Sequence, residues 1–421
     1  MIEKIEEAVA YVETGEVAKG LRLLEEAERE SDEQERFQIA QLYREWGHVE
    51  KAKGIVEQLL KQFPEETELT FTLAELLIDQ GEQERAVAIL SDLDGTEEDF
   101  LRASLLLADI YMSEGLDEVA ERKLLEAKRK DPAQPVVTYA LAQFYFSLGL
   151  YAKSVPHYEQ LMRDGELPDE PIALRLADAL SGSGNFEAAL EMYEKADSRY
   201  IDDDGLFHYG FTAWQAGETQ RAIELFERLR ENDPDYGKLY LYLTKAYRAE
   251  GAPHKALETA ERGMELEGIH DDLAYEAGLT ASSLGESETA ENYFHRALAI
   301  NSQHHGALKA LAGLYRKNDD NEAVIELLRG RPDMEEHDPL LVWYLASAEH
   351  AEENFTEAAK HYADVESDLD SNPEFLEEYG DFLLEEGRRR QAKEKYEKAV
   401  TLDPTLLHLL EKIEQIDDPF S

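Results

Sequence analysis

Glycines that recur about every 34 residues constrain the fold of this 421-residue chain more than any other feature of its sequence. Nine of them are separated by steps of 32 to 35 residues, and a tenth follows after three further steps of 34. They are Gly15, Gly47, Gly81, Gly115, Gly149, Gly184, Gly217, Gly251, Gly285 and Gly387. In the wide last gap, Asp319 and Glu353 stand at or near the glycine position. Such a period predicts small units stacked in an array, where length alone would suggest two or three globular domains.

Small and large apolar residues keep step with these glycines. A small residue such as Ala40 lies seven positions before the glycine, another such as Ala52 lies five positions after it, and a large one such as Val56 follows. Asp-Pro closes several units, as at 131–132. Glycine ends a helix because it adopts positive φ, and the residue before proline disfavours helical backbone. Each unit is therefore predicted to be a helix, a tight turn and a second helix, and no strand alternation competes.

A unit of this length and form resembles the tetratricopeptide repeat. The first-helix pattern stands in Ala40 to Gly47 and Ala108 to Gly115, and the second-helix pattern stands in Ala392 to Pro404. The resemblance implies an all-α fold, a right-handed superhelical α-solenoid of about twelve repeats over residues 1–404. Residues 405–421 are predicted to form a capping helix and tail, because five apolar residues share one helical face. These are Leu406, Leu409, Leu410, Ile413 and Ile416.

Three stretches break the regular pattern and are candidate joints in an array that we expect to be continuous. They lie near residues 164–171, 201–205 and 318–339. Around the start of the last of these, the small residues Ala312 and Ala323 are eleven apart where other units have twelve. That spacing predicts a turn one residue shorter than in the other repeats.

The charge of the chain excludes several classes of partner. There are 93 acidic and 43 Lys or Arg residues, which gives a net charge of −50. Such a chain repels nucleic-acid phosphates and anionic lipid, so we expect no nucleic-acid partner and no direct membrane insertion. No apolar run approaches the roughly 20 residues of a membrane span, and the N-terminus lacks a signal-peptide pattern. We expect a cytoplasmic protein.

Nothing in the sequence points to catalysis. Cysteine is absent, which removes thiol chemistry and Cys-based metal sites. Dinucleotide, P-loop, serine-hydrolase and zinc-protease motifs are missing as well. Asp202 to Gly205 lacks the ligand spacing of a calcium loop, and the adjacent His304 and His305 would point in different directions on a helix. The prediction is a protein that is not an enzyme and carries no cofactor or metal.

The resemblance also indicates where a partner would bind. In such arrays the first helices line a concave groove, and with the turn glycine counted as position 15 their positions 2, 5, 9, 12 and 13 usually face it. In repeats two to six, position 9 is polar or acidic, as at Glu75 and Asp109. Repeats seven to ten place aromatic residues beside bases instead. The candidate groove residues are Phe207, Phe211, Trp214, Lys238, Lys245, Arg248, Tyr275, Lys309, Arg316 and Lys317.

Two interpretations of this group remain open at the level of sequence. Exposed aromatic residues supply binding area and bases capture carboxylates, which favours a binding groove. Alternatively Phe207 and Tyr275 belong to the core, and the bases pair with nearby acids such as Glu276 at little net energy.

The leading functional hypothesis is a non-catalytic scaffold or adaptor that binds a protein or peptide segment in the groove. The alternatives are a peptide-responsive regulatory receptor and an assembly factor for a larger complex. The sequence names neither the partner nor the oligomeric state.

Overall fold

A computed structural model describes residues 2–93, 95–164, 171–266, 270–329 and 338–417. Within those ranges the chain forms 25 α-helices and one short 3₁₀ helix, Ser198–Tyr200, and contains no strand. The predicted all-α repeat fold is confirmed. The odd-numbered helices up to α23 are the first helices of twelve repeats, the even-numbered ones are the second helices, and α25 follows the last repeat.

The chain divides into two compact units, Met1–Asp202 and Asp203–Ser421. The first unit contains six helix pairs. They are α1 (Ile2–Glu13), α2 (Val17–Glu30), α3 (Glu33–Glu45), α4 (Val49–Gln62), α5 (Thr67–Asp79), α6 (Gln83–Ser91), α7 (Glu97–Ser113), α8 (Asp117–Lys130), α9 (Pro135–Ser147), α10 (Tyr151–Asp164), α11 (Ile172–Gly182) and α12 (Phe186–Lys195).

The second unit contains six further pairs and a final helix. They are α13 (Asp203–Gln215), α14 (Thr219–Asn232), α15 (Gly237–Ala249), α16 (Pro253–Met264), α17 (Asp271–Ser283), α18 (Ser287–Ile300), α19 (His305–Lys317), α20 (Asn321–Leu328), α21 (Pro339–Ala351), α22 (Phe355–Val365), α23 (Pro373–Glu385), α24 (Arg389–Leu402) and α25 (His408–Asp417).

The turn inside each repeat has one residue in the left-handed region. All ten periodic glycines have φ between 70° and 86°, and Asp319 and Glu353 adopt φ of 55° and 60° in the two repeats that lack the glycine. Because Asp319 holds the glycine position, α19 and α20 are joined by three residues, as α17 and α18 are. The prediction of a shorter turn there is wrong: Val324, not Ala323, lies five residues after the turn position, and it is buried.

Close approach between the two helices of a repeat explains the small residues of the pattern. A Cβ placed on Gly278 of α17 would lie 2.5 Å from Cε1 of Phe294 on α18, and Gly210 and Gly380 face Phe226 and Tyr396 in the same way. In each pair the ring fills the space that the missing side chain leaves. The small-to-large spacing in the sequence therefore sets the distance between paired helices.

Helix α25 packs on α24 and covers the end of the second unit. Leu409 is fully buried there, and Leu406, Ile413 and Ile416 are partly buried against the same cluster. Leu410, expected on this apolar face, is instead 43% exposed. A helix of this kind shields apolar surface that the next repeat would cover inside the array.

The second of the three candidate joints, 201–205, contains the point between residues 202 and 203 at which the chain divides into two units. Residues 165–170, which make up most of the first joint, and residues 330–337 of the third lie outside the described residues. The assignment of 1–404 to a single continuous array stays a prediction. None of the described helices is long and apolar enough to cross a membrane.

Candidate functional site

The predicted groove residues all lie on first helices of the second unit. Each of these helices contacts the next one in the series α13, α15, α17, α19, α21 and α23, so that their exposed sides form one surface. The paired second helices pack behind it. Side chains that are far apart in sequence therefore become neighbours across successive first helices.

Aromatic side chains dominate the α13 end of this surface. Phe207 is 8% exposed and packs against Phe226 and Tyr236, so it belongs to the core. Phe211 and Trp214 are half-buried. Tyr242 of α15, also half-buried, packs edge-on against Phe211 with ring centroids 5.1 Å apart. The accessible part of the aromatic group is therefore Phe211, Trp214 and Tyr242.

Two of these aromatic residues keep free polar atoms. Neither the indole N–H of Trp214 nor the hydroxyl of Tyr242 has a hydrogen-bond partner among the residues that the structure describes. Buried Trp and Tyr usually find such a partner, whereas those at interfaces keep a polar edge for the bound molecule. The groove pattern did not select Tyr242, although its spacing of four residues from Lys238 places it on the same side of α15.

Two of the three predicted bases of α15, Lys245 and Arg248, do not stand free. Arg248 reaches across to Glu276 of α17, with 3.0 Å from its Nε to Oε2 and 2.9 Å from Nη2 to the same oxygen. Lys245 lies 3.9 Å from the other carboxylate oxygen. The Glu276 side chain is only 7% exposed, so these two cations compensate a buried negative charge.

Lys309 of α19 is also engaged. Its ammonium lies 3.1 Å from Oδ2 of Asp338, and Nε2 of His305 lies 2.8 Å from the same oxygen. Burial by itself raises the pKa of this carboxyl, but hydrogen bonds from His305, Lys309 and the Leu340 backbone outweigh it and lower the pKa below the ordinary value. Asp338 also caps α21 by accepting the Leu340 N–H at 2.9 Å.

Arg316 is held on several sides. Its guanidinium lies over the ring of Trp343, 4.3 Å from the centroid, and pairs with Glu374 and Glu378 of α23. The indole N–H of Trp343 donates to Glu378 at 2.7 Å. This network joins α19, α21 and α23 and leaves Arg316 mostly covered.

The remaining predicted residues divide between core and solvent. Tyr275 is half-buried against His304 and Phe294, with ring centroids 4.9 and 6.1 Å away. Lys238 and Lys317 are exposed and have no acidic partner within the described part of the chain. Of the bases predicted from the sequence, these two are therefore the ones available to a bound molecule.

No metal-binding arrangement accompanies this surface. No group of three or more His, Asp or Glu side chains among the described residues is placed to hold a metal ion. The adjacent His304 and His305 diverge: His304 lies 3.3 Å from Asp272 of α17, while His305 contacts Asp338 at the start of α21.

Family models match most of this fold in segments. Models of YpiA-like tetratricopeptide repeats match residues 113–166, and a model of the C-terminal repeats of the same group matches residues 339–405. General tetratricopeptide models match residues 213–268, 171–200 and 272–304, and a model of the tetratricopeptide repeat protein 21 ARM repeat matches residues 3–120.

The full-length comparison is decisive. The chain is 39% identical over 418 residues to the TPR repeat-containing protein YpiA of Bacillus subtilis, covering 99% of both chains. The chain belongs to the YpiA-like tetratricopeptide repeat family. The similarity to YpiA that residues 41–52 and 68–79 suggest by themselves therefore extends over the whole sequence. Human tetratricopeptide repeat protein 21B is 24% identical over 163 residues, which is 38% of this chain and 12% of that protein.

Solved structures match this chain at low sequence identity. The crystal structure of the APC/C hetero-tetramer Cut9–Hcn1 is 12% identical with a TM-score of 0.40, covering 98% of this chain and 95% of that one. The C-terminal part of a repeat protein from Cytophaga hutchinsonii is 16% identical with a TM-score of 0.43, covering 64% and 97%. Neither likeness transfers a partner to this YpiA-like protein.

Proposed function

We propose that this chain is a non-catalytic interaction scaffold that binds a segment of another protein on the surface formed by α13, α15, α17 and α19. Membership of a tetratricopeptide repeat family supports the general role. The location rests on the half-exposed aromatic group Phe211, Trp214 and Tyr242. A bound segment would lie across successive first helices and meet this group at one end.

The observation that carries the proposal is the pair of free polar atoms on Trp214 and Tyr242. Both side chains combine a large apolar area with a hydrogen-bonding edge, and such residues contribute much of the binding energy at protein interfaces. Within the described part of the chain, that edge faces no internal partner. A partner backbone carbonyl or carboxylate would satisfy it.

The charges of the site narrow the chemistry of the partner. Lys238 has no acidic partner among the described residues and lies one helical turn from Tyr242, whereas Arg248, Lys309 and Arg316 neutralise carboxylates of this chain. Withdrawing Arg248 from Glu276 would leave a buried charge uncompensated, so these bases hold the surface in shape and do not capture the partner. The expected partner segment carries apolar residues for the aromatic group and an acidic residue for Lys238.

The test is affinity capture on the full-length chain from a native extract, with bound proteins identified by mass spectrometry. A Trp214→Ala, Lys238→Glu variant is expected to lose the proteins that the unchanged chain recovers. Lys61→Glu supplies the control, because Lys61 is an exposed lysine on α4 with no acidic partner among the described residues. Circular dichroism checks that both variants fold, and equal recovery by the double variant would remove the site from the proposal.

A further inference from the structure

The first helices of the Met1–Asp202 unit carry a second patterned surface. On α5, α7 and α9, residues at positions 5 and 12 of the repeat are apolar and flank a polar residue at position 9. Each stands 34 residues after its counterpart on the previous first helix. The three sets are Phe71, Glu75 and Ile78; Leu105, Asp109 and Met112; and Tyr139, Gln143 and Phe146. α7 contacts both α5 and α9 directly, so these residues form two apolar rows with a polar row between them, although Phe71 itself is fully buried and belongs to the core.

Asp109 stands apart from the other acids of the polar row. Four first helices carry an acid at position 9, and three of these carboxylates are satisfied within the chain. Glu75 pairs with Arg44 and Arg102, while Asp178 and Asp381 accept hydrogen bonds of 2.6 Å from the hydroxyls of Tyr193 and Tyr396. The carboxylate of Asp109 is exposed and has no hydrogen bond and no ion pair among the described residues.

The basic residue of α7 already pairs with acids of α5. Arg102, on the same helix as Asp109, points back to α5, with Nη1 2.6 Å from Glu68 and Nη2 3.4 Å from Glu75. Leu105 and Met112 on the same helix are only partly buried, and so is Phe146 on the neighbouring α9. Desolvation by the surrounding protein, with no compensating cation, raises the pKa of the Asp109 carboxyl. The carboxylate is thus reachable from solvent but poorly stabilised by the chain itself.

We propose that the α7–α9 surface, defined by Leu105, Asp109, Met112, Tyr139 and Phe146, binds an extended segment of another protein that places one Lys or Arg on Asp109. Apolar side chains of the same segment lie on the rows to either side. Charge complementarity argues for this occupant, because a Lys or Arg forms a charge-assisted hydrogen bond with a carboxylate that has no partner. A metal ion is a poor alternative, since one carboxylate provides too few ligands.

The surface is separate from the proposed site on α13 to α19 and selects the opposite charge. One chain would then hold two different segments, an acidic one in the second unit and a basic one in the first. The two proposals can therefore fail independently.

The test selects a phage-displayed library of random heptapeptides on the full-length chain and on the Asp109→Asn and Asp109→Lys variants. Peptides recovered by the unchanged chain are expected to be enriched in Lys or Arg beside apolar residues and to bind Asp109→Asn about tenfold more weakly. Asp109→Lys is expected to select acidic peptides instead. Glu118→Gln, an exposed acid on α8 without a partner in the described residues, is the control and should bind as the unchanged chain does.

Three results would overturn the proposal. The first is a selection of peptides without Lys or Arg enrichment, and the second is equal binding of the basic peptides to Asp109→Asn and to the unchanged chain. The third is a change in oligomeric mass caused by Asp109→Asn, because that result would make a second copy of this chain the occupant. Basic peptides should still bind the Trp214→Ala, Lys238→Glu variant. Loss of binding there would place them on the α13–α19 surface and not on this one.

Discussion

At the scale of single residues, the turn position of the repeat keeps its left-handed backbone conformation even in repeats where the glycine has been replaced. Asp319 and Glu353 adopt the left-handed conformation that glycine holds in ten other repeats. For a residue with a Cβ, this conformation costs about 1–2 kcal/mol of folding free energy, and aspartate tolerates it better than glutamate. The surrounding helix pair imposes the turn regardless of the residue.

Glu353→Gly is therefore expected to stabilise the protein by about 0.5–1 kcal/mol, because relief of the strained backbone exceeds the added freedom of the unfolded chain. Asp319→Gly should give a smaller gain. The urea midpoint of unfolding measures both changes. Gly285→Ala, which introduces the same strain, is the control and should lower the midpoint; an unchanged midpoint for Glu353→Gly would contradict the prediction.

A second consequence at this scale concerns pH and Asp338. Its pKa is lowered in the folded protein, so the ionised form contributes stability that is present above the unfolded pKa of about 4 and is lost as the pH falls through the folded value. Asp338→Asn keeps the helix cap but removes the charge that His305 and Lys309 contact. We expect a loss of about 1–2 kcal/mol near neutral pH, discounted because both partners are substantially exposed.

Urea unfolding of Asp338→Asn and the unchanged chain between about pH 7 and about pH 3 tests this. The difference in free energy of unfolding should shrink as the solution becomes more acidic. Asp235→Asn, at an exposed aspartate whose carboxylate has no partner within the described residues, should show no such trend. A difference that stays constant with pH would exclude the electrostatic explanation.

At the scale of helices, the small residues decide how two helices of a repeat pack. The sequence identified these positions by period alone, and the structure explains them: Gly278 leaves room for the Phe294 ring, and Ala40, Ala74 and Ala108 are buried at the equivalent point. The one misjudged turn, between α19 and α20, arose because Val324 is buried where most other repeats have alanine. The size of the buried apolar side chain varies between repeats without changing the period, whereas the left-handed backbone of the turn does not vary.

Gly278→Ala is expected to destabilise the protein by about 1–2 kcal/mol, because the clash with Phe294 exceeds the gain in helix propensity of about 1 kcal/mol. Gly313→Ala is the matched change on α19. A Cβ there has no neighbour closer than 3.9 Å, so the propensity gain should appear as added stability. Thermal unfolding of the two variants should therefore shift in opposite directions, and a shared direction would contradict this account of the packing.

At the scale of the whole molecule, the net charge of −50 affects the stability of the fold. Most bases are engaged in pairs with acids of this chain, as Arg248 and Arg316 are, so the excess negative charge has no internal compensation. Repulsion among those acids lowers the stability of the compact state. Salt screens such repulsion and also weakens exposed pairs, but the excess of acids favours the first effect.

We expect the thermal midpoint to rise by a few degrees between about 0.01 M and about 1 M sodium chloride, over which the screening length falls from about 30 Å to about 3 Å. Sorbitol, which carries no charge, separates screening from general solvent effects when the two midpoints are compared. A falling midpoint in sodium chloride would mean that the ion pairs between helices outweigh the repulsion.

The sequence by itself determined the all-α class, the number of repeats, the position of nearly every turn and the family. It could do so because each repeat is specified by residues within one period, and neighbouring repeats bury its apolar face. It also placed the candidate residues on first helices that contact one another, but it did not show which of them are engaged within the chain. Phe207 proved to be core, Tyr242 was missed, and the bases Arg248 and Arg316 were already paired.

Only the tertiary structure decided these points, because a charge is free or engaged according to partners that are distant in sequence. Arg248 pairs with an acid 28 residues away and Arg316 with one 62 residues away. Asp109 showed the converse: the sequence placed it among similar acids, and only the packing of α5, α7 and α9 left its carboxylate without a partner among the described residues. Periodicity fixes the backbone locally, whereas the electrostatics of a surface depend on side chains that meet across several repeats.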